Sequence, residues 1–194
     1  MTRYNQLPRL ALAAAVLLAS GLALAQQHAH SHGRLAMNVS VDAQSIGIQL
    51  EVPLDNFLGF ERAPRNDAER KRVGDMVSRL QAADSLFLID PRAECKLAQV
   101  VLESEVLGLA PDAPAGQAPA PTTTAAGKHT HDDHAEIEVS VRFDCGKAGL
   151  ARHIDVKLFD AFQGTRTIDA QVASAQGQFK RRLNRSTTRL AWGK

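Results

Sequence analysis

Leu35-Ala36-Met37-Asn38-Val39-Ser40-Val41-Asp42-Ala43-Gln44-Ser45-Ile46-Gly47-Ile48-Gln49-Leu50-Glu51-Val52 is the stretch that sets the fold class. Leu35, Met37, Val39 and Val41 alternate with polar or small residues. Ile46, Ile48, Leu50 and Val52 repeat the pattern after a polar break at Asp42-Ala43-Gln44-Ser45. Side chains along a strand face opposite sides with a period of two, so this is a β-hairpin with one apolar face. Pro53 ends its second strand. The segment Leu54 to Pro64 carries Phe57, Leu58 and Phe60. It is too apolar for a free linker and is expected to pack on the core.

Downstream, Asn66 with Glu69 three residues on resembles a capping box, and Asp67 adds charge favourable to a helix start. Val73, Met76, Val77 and Leu80 fall at i, i+3, i+4 and i+7, so an amphipathic helix is expected over 66–83. A short apolar run, Leu86 to Ile89, stops at Asp90-Pro91, and a strand is expected near 96–106. Residues 110–134 hold Pro111, Pro114, Pro119 and Pro121, many alanines, and Thr122 to Thr124. Such a composition buries too little surface to order itself, so a disordered, His-containing insert is expected there. Alternation resumes with Ile137, Val139, Val141 and Phe143. Ile154, Val156 and Leu158 read as another strand, and two weaker ones fall at 168–172 and 179–183. Several strands with one strong helix imply a single α+β domain over 34–194, built on a mostly antiparallel sheet.

Upstream of the hairpin, Arg3 and Arg9 flank an apolar run from Leu10 to Leu24, and Ala23-Leu24-Ala25 has the form of a cleavage site. These features describe a signal peptide over residues 1–25 and lead to export into an oxidising compartment. Removing the first 25 of 194 residues leaves 169, enough for one domain. Two of the 23 Lys and Arg and none of the 21 Asp and Glu lie in that segment, so the remainder has 21 of each sign. A neutral chain lacks the positive field that nucleic-acid binding requires. No later apolar run is long enough to span a membrane. The only cysteines, Cys95 and Cys145, can form a disulfide or share a metal; export favours the disulfide.

Six of the seven histidines form two clusters. His28, His30 and His32 lie in a polar segment, 26–33, expected to be a mobile N-terminus. His129, His131 and His134, with Asp132 and Asp133, close the insert. Neutral imidazole suits Zn2+, Cu2+ and Ni2+, and carboxylates complete such shells. Metal capture by imidazoles weakens in acid, where they protonate. A solvated His tract that binds metal adventitiously is the plainer alternative. If the first strand continues backwards, His28, His30 and His32 share its solvent side. His134, Glu136 and Glu138 share the polar side of the later strand, so the two sets would offer ligands from one face. Cleavage after Ala25 would expose Gln26-Gln27-His28, whose amine, amides and imidazole can wrap Cu2+ or Ni2+ in a plane. His153 stands alone, as a surface or structural residue. Lys180, Arg181, Arg182 and Arg185 read as a solvated basic face. No motif places a nucleophile, a phosphate-cradling loop or paired catalytic carboxylates, so no enzyme is expected.

Taken together, several segments resemble the ZrgA family of periplasmic zinc-uptake proteins. They are His28 to Gly33, Leu50-Glu51-Val52-Pro53-Leu54-Asp55-Asn56-Phe57-Leu58-Gly59-Phe60-Glu61, Ala93-Glu94-Cys95, the His/Asp-rich insert and the strand reaching Cys145. The resemblance implies a non-catalytic zinc binder that assists import, with a zinc ABC importer or its binding protein as partner. Arg62 stands where the family often has His, and the insert carries fewer His than is usual. Glu61 is a further oxygen ligand or a partner of Arg62. The rival reading is a non-metal module that docks a transporter through its helix or its Phe57–Phe60 loop.

Overall fold

The computed structural model describes residues 32–110 and 135–193. The expected signal peptide, most of the His-rich start and the expected insert lie outside the described residues. The hairpin forms as its alternation dictates: β1 (Arg34–Val41) pairs antiparallel with β2 (Ser45–Pro53), and the Asp42 amide donates to Ser45 O (3.0 Å) across the turn. All eight apolar positions of the pattern face the core, with Ile46, Ile48 and Val52 wholly shielded. Full burial of such a side chain contributes about 1.5–3 kcal/mol.

The hairpin is the centre of a six-stranded sheet. On one side lie β5 (Glu136–Cys145) and then β4 (Cys95–Glu103); on the other lie β7 (Thr167–Ser174) and β8 (Gly177–Leu183). Every pairing is antiparallel except that of β1 with β7, which is parallel. The edge strand β4 breaks register between Leu97 and Gln99, the kind of bulge that blunts an edge against pairing with other chains. Cys95 and Cys145 are register partners at the end of this pair and are joined by a disulfide.

The helices of the fold are short. Asp55 belongs to the first, α1 (Leu54–Leu58). The second, α2 (Asp67–Gln81), buries Val73, Met76 and Leu80, three of the four residues in the expected stripe. Asn66 Oδ1 accepts from the Glu69 amide (2.9 Å), as an N-cap should. The reciprocal half of the capping box is absent. Glu69 instead accepts from Arg65 N (2.7 Å) and takes a bidentate bond from Arg62, and these donors hold its carboxyl down at about 2. Asn66→Ala should cost about 1 kcal/mol in urea unfolding, because the side-chain acceptor of the Glu69 amide is lost.

The sequence pattern concealed a second layer. After α3 (Ala83–Leu86), the run Leu86 to Ile89 becomes β3 (Phe87–Ile89). It joins β6 (His153–Val156) and β9 (Arg189–Ala191) in a three-stranded antiparallel sheet. Leu158 does not prolong β6, contrary to the alternation; it starts α4 (Leu158–Ala161), where Leu158 and Phe159 are buried. Burial here outranks the period-two pattern, since a helical turn hides adjacent side chains that a strand would send to opposite faces. One apolar cluster unites the six-stranded sheet with α2, α4 and the small sheet.

Candidate metal centre

At the end of the hairpin opposite its turn, three metal-ligating side chains meet. His32 sits in the turn before β1, Asp55 in α1, and Glu61 in the loop after it. One donor atom from each lies within 4.8 Å of the other two. His32 Nδ1 is hydrogen-bonded to Asp55 Oδ2 and is 3.8 Å from Glu61 Oε1. Donors about 2.1 Å from a tetrahedral Zn2+ are roughly 3.4 Å apart, so the spacing suits one cation. The His32 side chain is 77% exposed and those of Asp55 and Glu61 21% and 42%, so a hydrated ion can reach the donors directly. The second Asp55 oxygen, Oδ1, is buried and has no hydrogen-bond partner among the described residues. An acidic group carrying such an oxygen attracts a cation, because burial of an uncompensated acceptor is costly.

Local backbone geometry brings these groups together. Every pair in the hairpin is symmetric about Ala43–Gln44: Val41 opposes Ile46 and Ala36 opposes Glu51. The chain before β1 and the chain after β2 therefore lie at the same end of the sheet, where His32 meets Asp55. Gly59, with φ of 80°, caps α1 through its amide to Asp55 O (2.9 Å), and this left-handed turn sends the chain back so that Glu61 reaches His32. Phe57 stacks on Phe162 with ring centroids 3.9 Å apart, and the Arg62 guanidinium lies 5.0 Å from the Phe60 ring centre. The loop therefore packs on the core as its composition requires. Arg62 is engaged by Glu69 rather than by Glu61, which leaves Glu61 to face His32.

The hydrogen bond to Asp55, with the fields of Asp55 and Glu61, raises the His32 pKa above its ordinary value. The two carboxylates favour the protonated imidazole, and a divalent cation placed among them would satisfy the same negative charge.

Of the residues in the two His clusters, only His32 is among those described; His28, His30, His129, His131, His134, Asp132 and Asp133 lie outside them, and Glu61, weighed as a further oxygen ligand, faces His32. The reading that His28, His30 and His32 share one polar side with His134, Glu136 and Glu138 rests on His28, His30 and His134, which lie outside the described residues. Gly33, with φ of 80°, ends the strand before His32, and β2 separates β1 from β5. His153 is a structural residue, as expected: it is half-buried and its Nδ1 lies 3.4 Å from Asp90 Oδ2. In the basic run, Arg182 pairs with Asp169 (2.9 Å), and Arg185 donates to Phe159 O and Gln163 O. Asp55 was missed as a ligand because it appears as one acidic residue in an apolar loop. The hairpin was the signal that could have pointed to it, since it returns the chain after β2 to the side where β1 begins.

No curated protein matches the chain. A family model described as ZrgA family zinc uptake protein matches residues 29–192, which takes in His32, Asp55, Glu61, both cysteines and every strand. The chain belongs to the ZrgA family of zinc uptake proteins.

Proposed function

We propose that this protein captures or buffers Zn2+ in the periplasm and assists its import, with no catalytic activity of its own. The observation that carries this reading is the His32–Asp55–Glu61 group, held by the fold in a zinc uptake family. One nitrogen and two oxygens form a donor set that Zn2+ accepts, with a position left for a further ligand. The imidazoles of the two His clusters, His28 and His30 and then His129, His131 and His134 with Asp132 and Asp133, are natural first captors. Chain connectivity supports their cooperation with the triad. The segment before His32 enters the fold at the triad itself. The segment ending at His134 enters at Ala135, whose carbonyl accepts from the Leu54 amide (2.9 Å), next to Asp55.

The Cys95–Cys145 disulfide suits an oxidising compartment, and no helix among the described residues is long and apolar enough to cross a membrane. A zinc ABC importer or its binding protein is the natural recipient of the ion. The docking-module alternative is weakened because Phe57 and Phe60 are engaged inside the molecule and the apolar side chains of α2 are largely buried. Binding of Cu2+ or Ni2+ at Gln26-Gln27-His28 would be a separate, terminal site.

Zinc calorimetry on the processed chain tests the reading. A triad variant (His32→Ala, Asp55→Asn, Glu61→Gln) should lose the tightest site, by more than about 100-fold, since even changes to residues that only orient ligands cost 10–100-fold. A variant with His28, His30, His129, His131 and His134 all changed to Ala should lose capacity while the tightest site survives. Undiminished tight binding by the triad variant would refute the central role of the triad.

A further inference from the structure

We infer that Asn56 is the positioning residue of the metal centre: its side chain clamps the backbone beside His32 and so presents that imidazole to Asp55 and Glu61. The inference rests on the reading of the triad as the zinc site. Asn56 is 2% exposed although its side chain is an amide. Its Oδ1 accepts from Gly33 N (2.6 Å) and its Nδ2 donates to Arg34 O (2.8 Å). One carboxamide thus bonds both sides of the Gly33–Arg34 unit, as a neighbouring strand would, just where the β1–β2 ladder has ended. Gly33 O is also taken, by the amides of Arg166 (2.7 Å) and Thr167 (2.9 Å). The polar groups of Gly33 are therefore all fixed, and its φ of 80° turns His32 off the strand.

Asn56 is itself fixed. A Cβ at Gly164 would lie 2.4 Å from Asn56 O, so the chain at 164 packs against it too closely for any other residue. Adjacent residues of α1 thereby divide the work. Asp55 supplies a donor atom, and Asn56 immobilises the backbone that carries the other donor 23 residues earlier. Without the clamp, the imidazole would belong to a loose chain end, and its ordering entropy would be charged to metal binding.

A zinc-binding cycle on the processed chain tests this: wild type, His32→Ala, Asn56→Ala, and both together. Asn56→Ala should weaken the tightest Zn2+ site 10–100-fold, the range for residues that orient ligands. In the His32→Ala background the same change should have no further effect, a result that general loosening of the fold would not give. Circular dichroism and thermal melting monitor folding; if Asn56→Ala does not fold, Asn56→Ser, which keeps one short polar arm, replaces it. If His32→Ala weakens zinc and Asn56→Ala does not, or if Asn56→Ala costs as much without His32 as with it, the inference is wrong while the triad stands. If His32→Ala is silent, the triad reading itself fails.

Discussion

Replacing both cysteines, Cys95→Ala with Cys145→Ala, should lower the unfolding free energy by about 4 kcal/mol. The bridge joins residues 50 apart in sequence. In the folded chain they are register partners in the antiparallel β4–β5 pair, so the link preserves contacts that the native state makes anyway. Its main effect therefore falls on the unfolded chain, where closing a loop of that length removes conformational entropy. Against a typical stability of about 5–15 kcal/mol, the loss is large. The strand that suffers most should be β4, an edge strand with a bulge and only one neighbour. Urea unfolding of the oxidised chain and the double variant should show a lower midpoint for the variant with a similar slope. Faster amide exchange in β4 than in β2 would accompany it. A loss below about 1 kcal/mol would mean that the unfolded chain is already compact around this pair.

How much of this was legible beforehand depended on how many residues carried each pattern. The hairpin showed plainly because eight apolar residues kept strict alternation and one face of the sheet is dry. β5 showed for the same reason. β3 and β9 have three residues each, too few for a period to emerge, and their place in a second sheet arises from contacts distant in sequence. Leu158 misled because a single apolar residue two positions after Val156 fits a strand or the start of a helix equally well. At the metal centre, His32 stood out by residue type, whereas Asp55 and Asn56 had none of that prominence. Their roles follow from the hairpin register, which returns the chain to its own beginning, and from the left-handed turn at Gly59. The parity of His32 could not be read from the strand pattern for a local reason: β1 begins at Arg34, and Gly33 with its positive φ turns the chain before it.

The second large effect concerns Asp90, a buried carboxylate far from any role in metal capture. Asp90→Ala should destabilise the protein by about 3 kcal/mol, since the change deprives several donors at once. Its oxygens accept from Arg92 N (3.1 Å) and Arg152 N (3.1 Å), and it forms a bidentate pair with Arg92 whose shortest contact is 2.6 Å. Its own amide donates to His153 O (3.0 Å), so the residue ties the turn after β3 to the start of β6. The Arg92 guanidinium is largely exposed and can return to water, so the cost comes chiefly from the two stranded amides. The same bonds, led by that from Arg92, hold the Asp90 carboxyl far below the usual carboxylate range despite its burial. A carboxylate with a depressed folded pKa contributes stability that is complete above its unfolded value, about 4, and is lost as pH falls toward the folded one. Asp90→Asn, which keeps the shape and removes the charge, should therefore differ most from wild type near pH 7. The gap should narrow steadily below about pH 4. Urea midpoints for both proteins at pH 7, 5 and 3 give the comparison, and a gap that is as wide at pH 3 as at pH 7 would show that the charge of Asp90 contributes nothing to holding the turn after β3 to the start of β6.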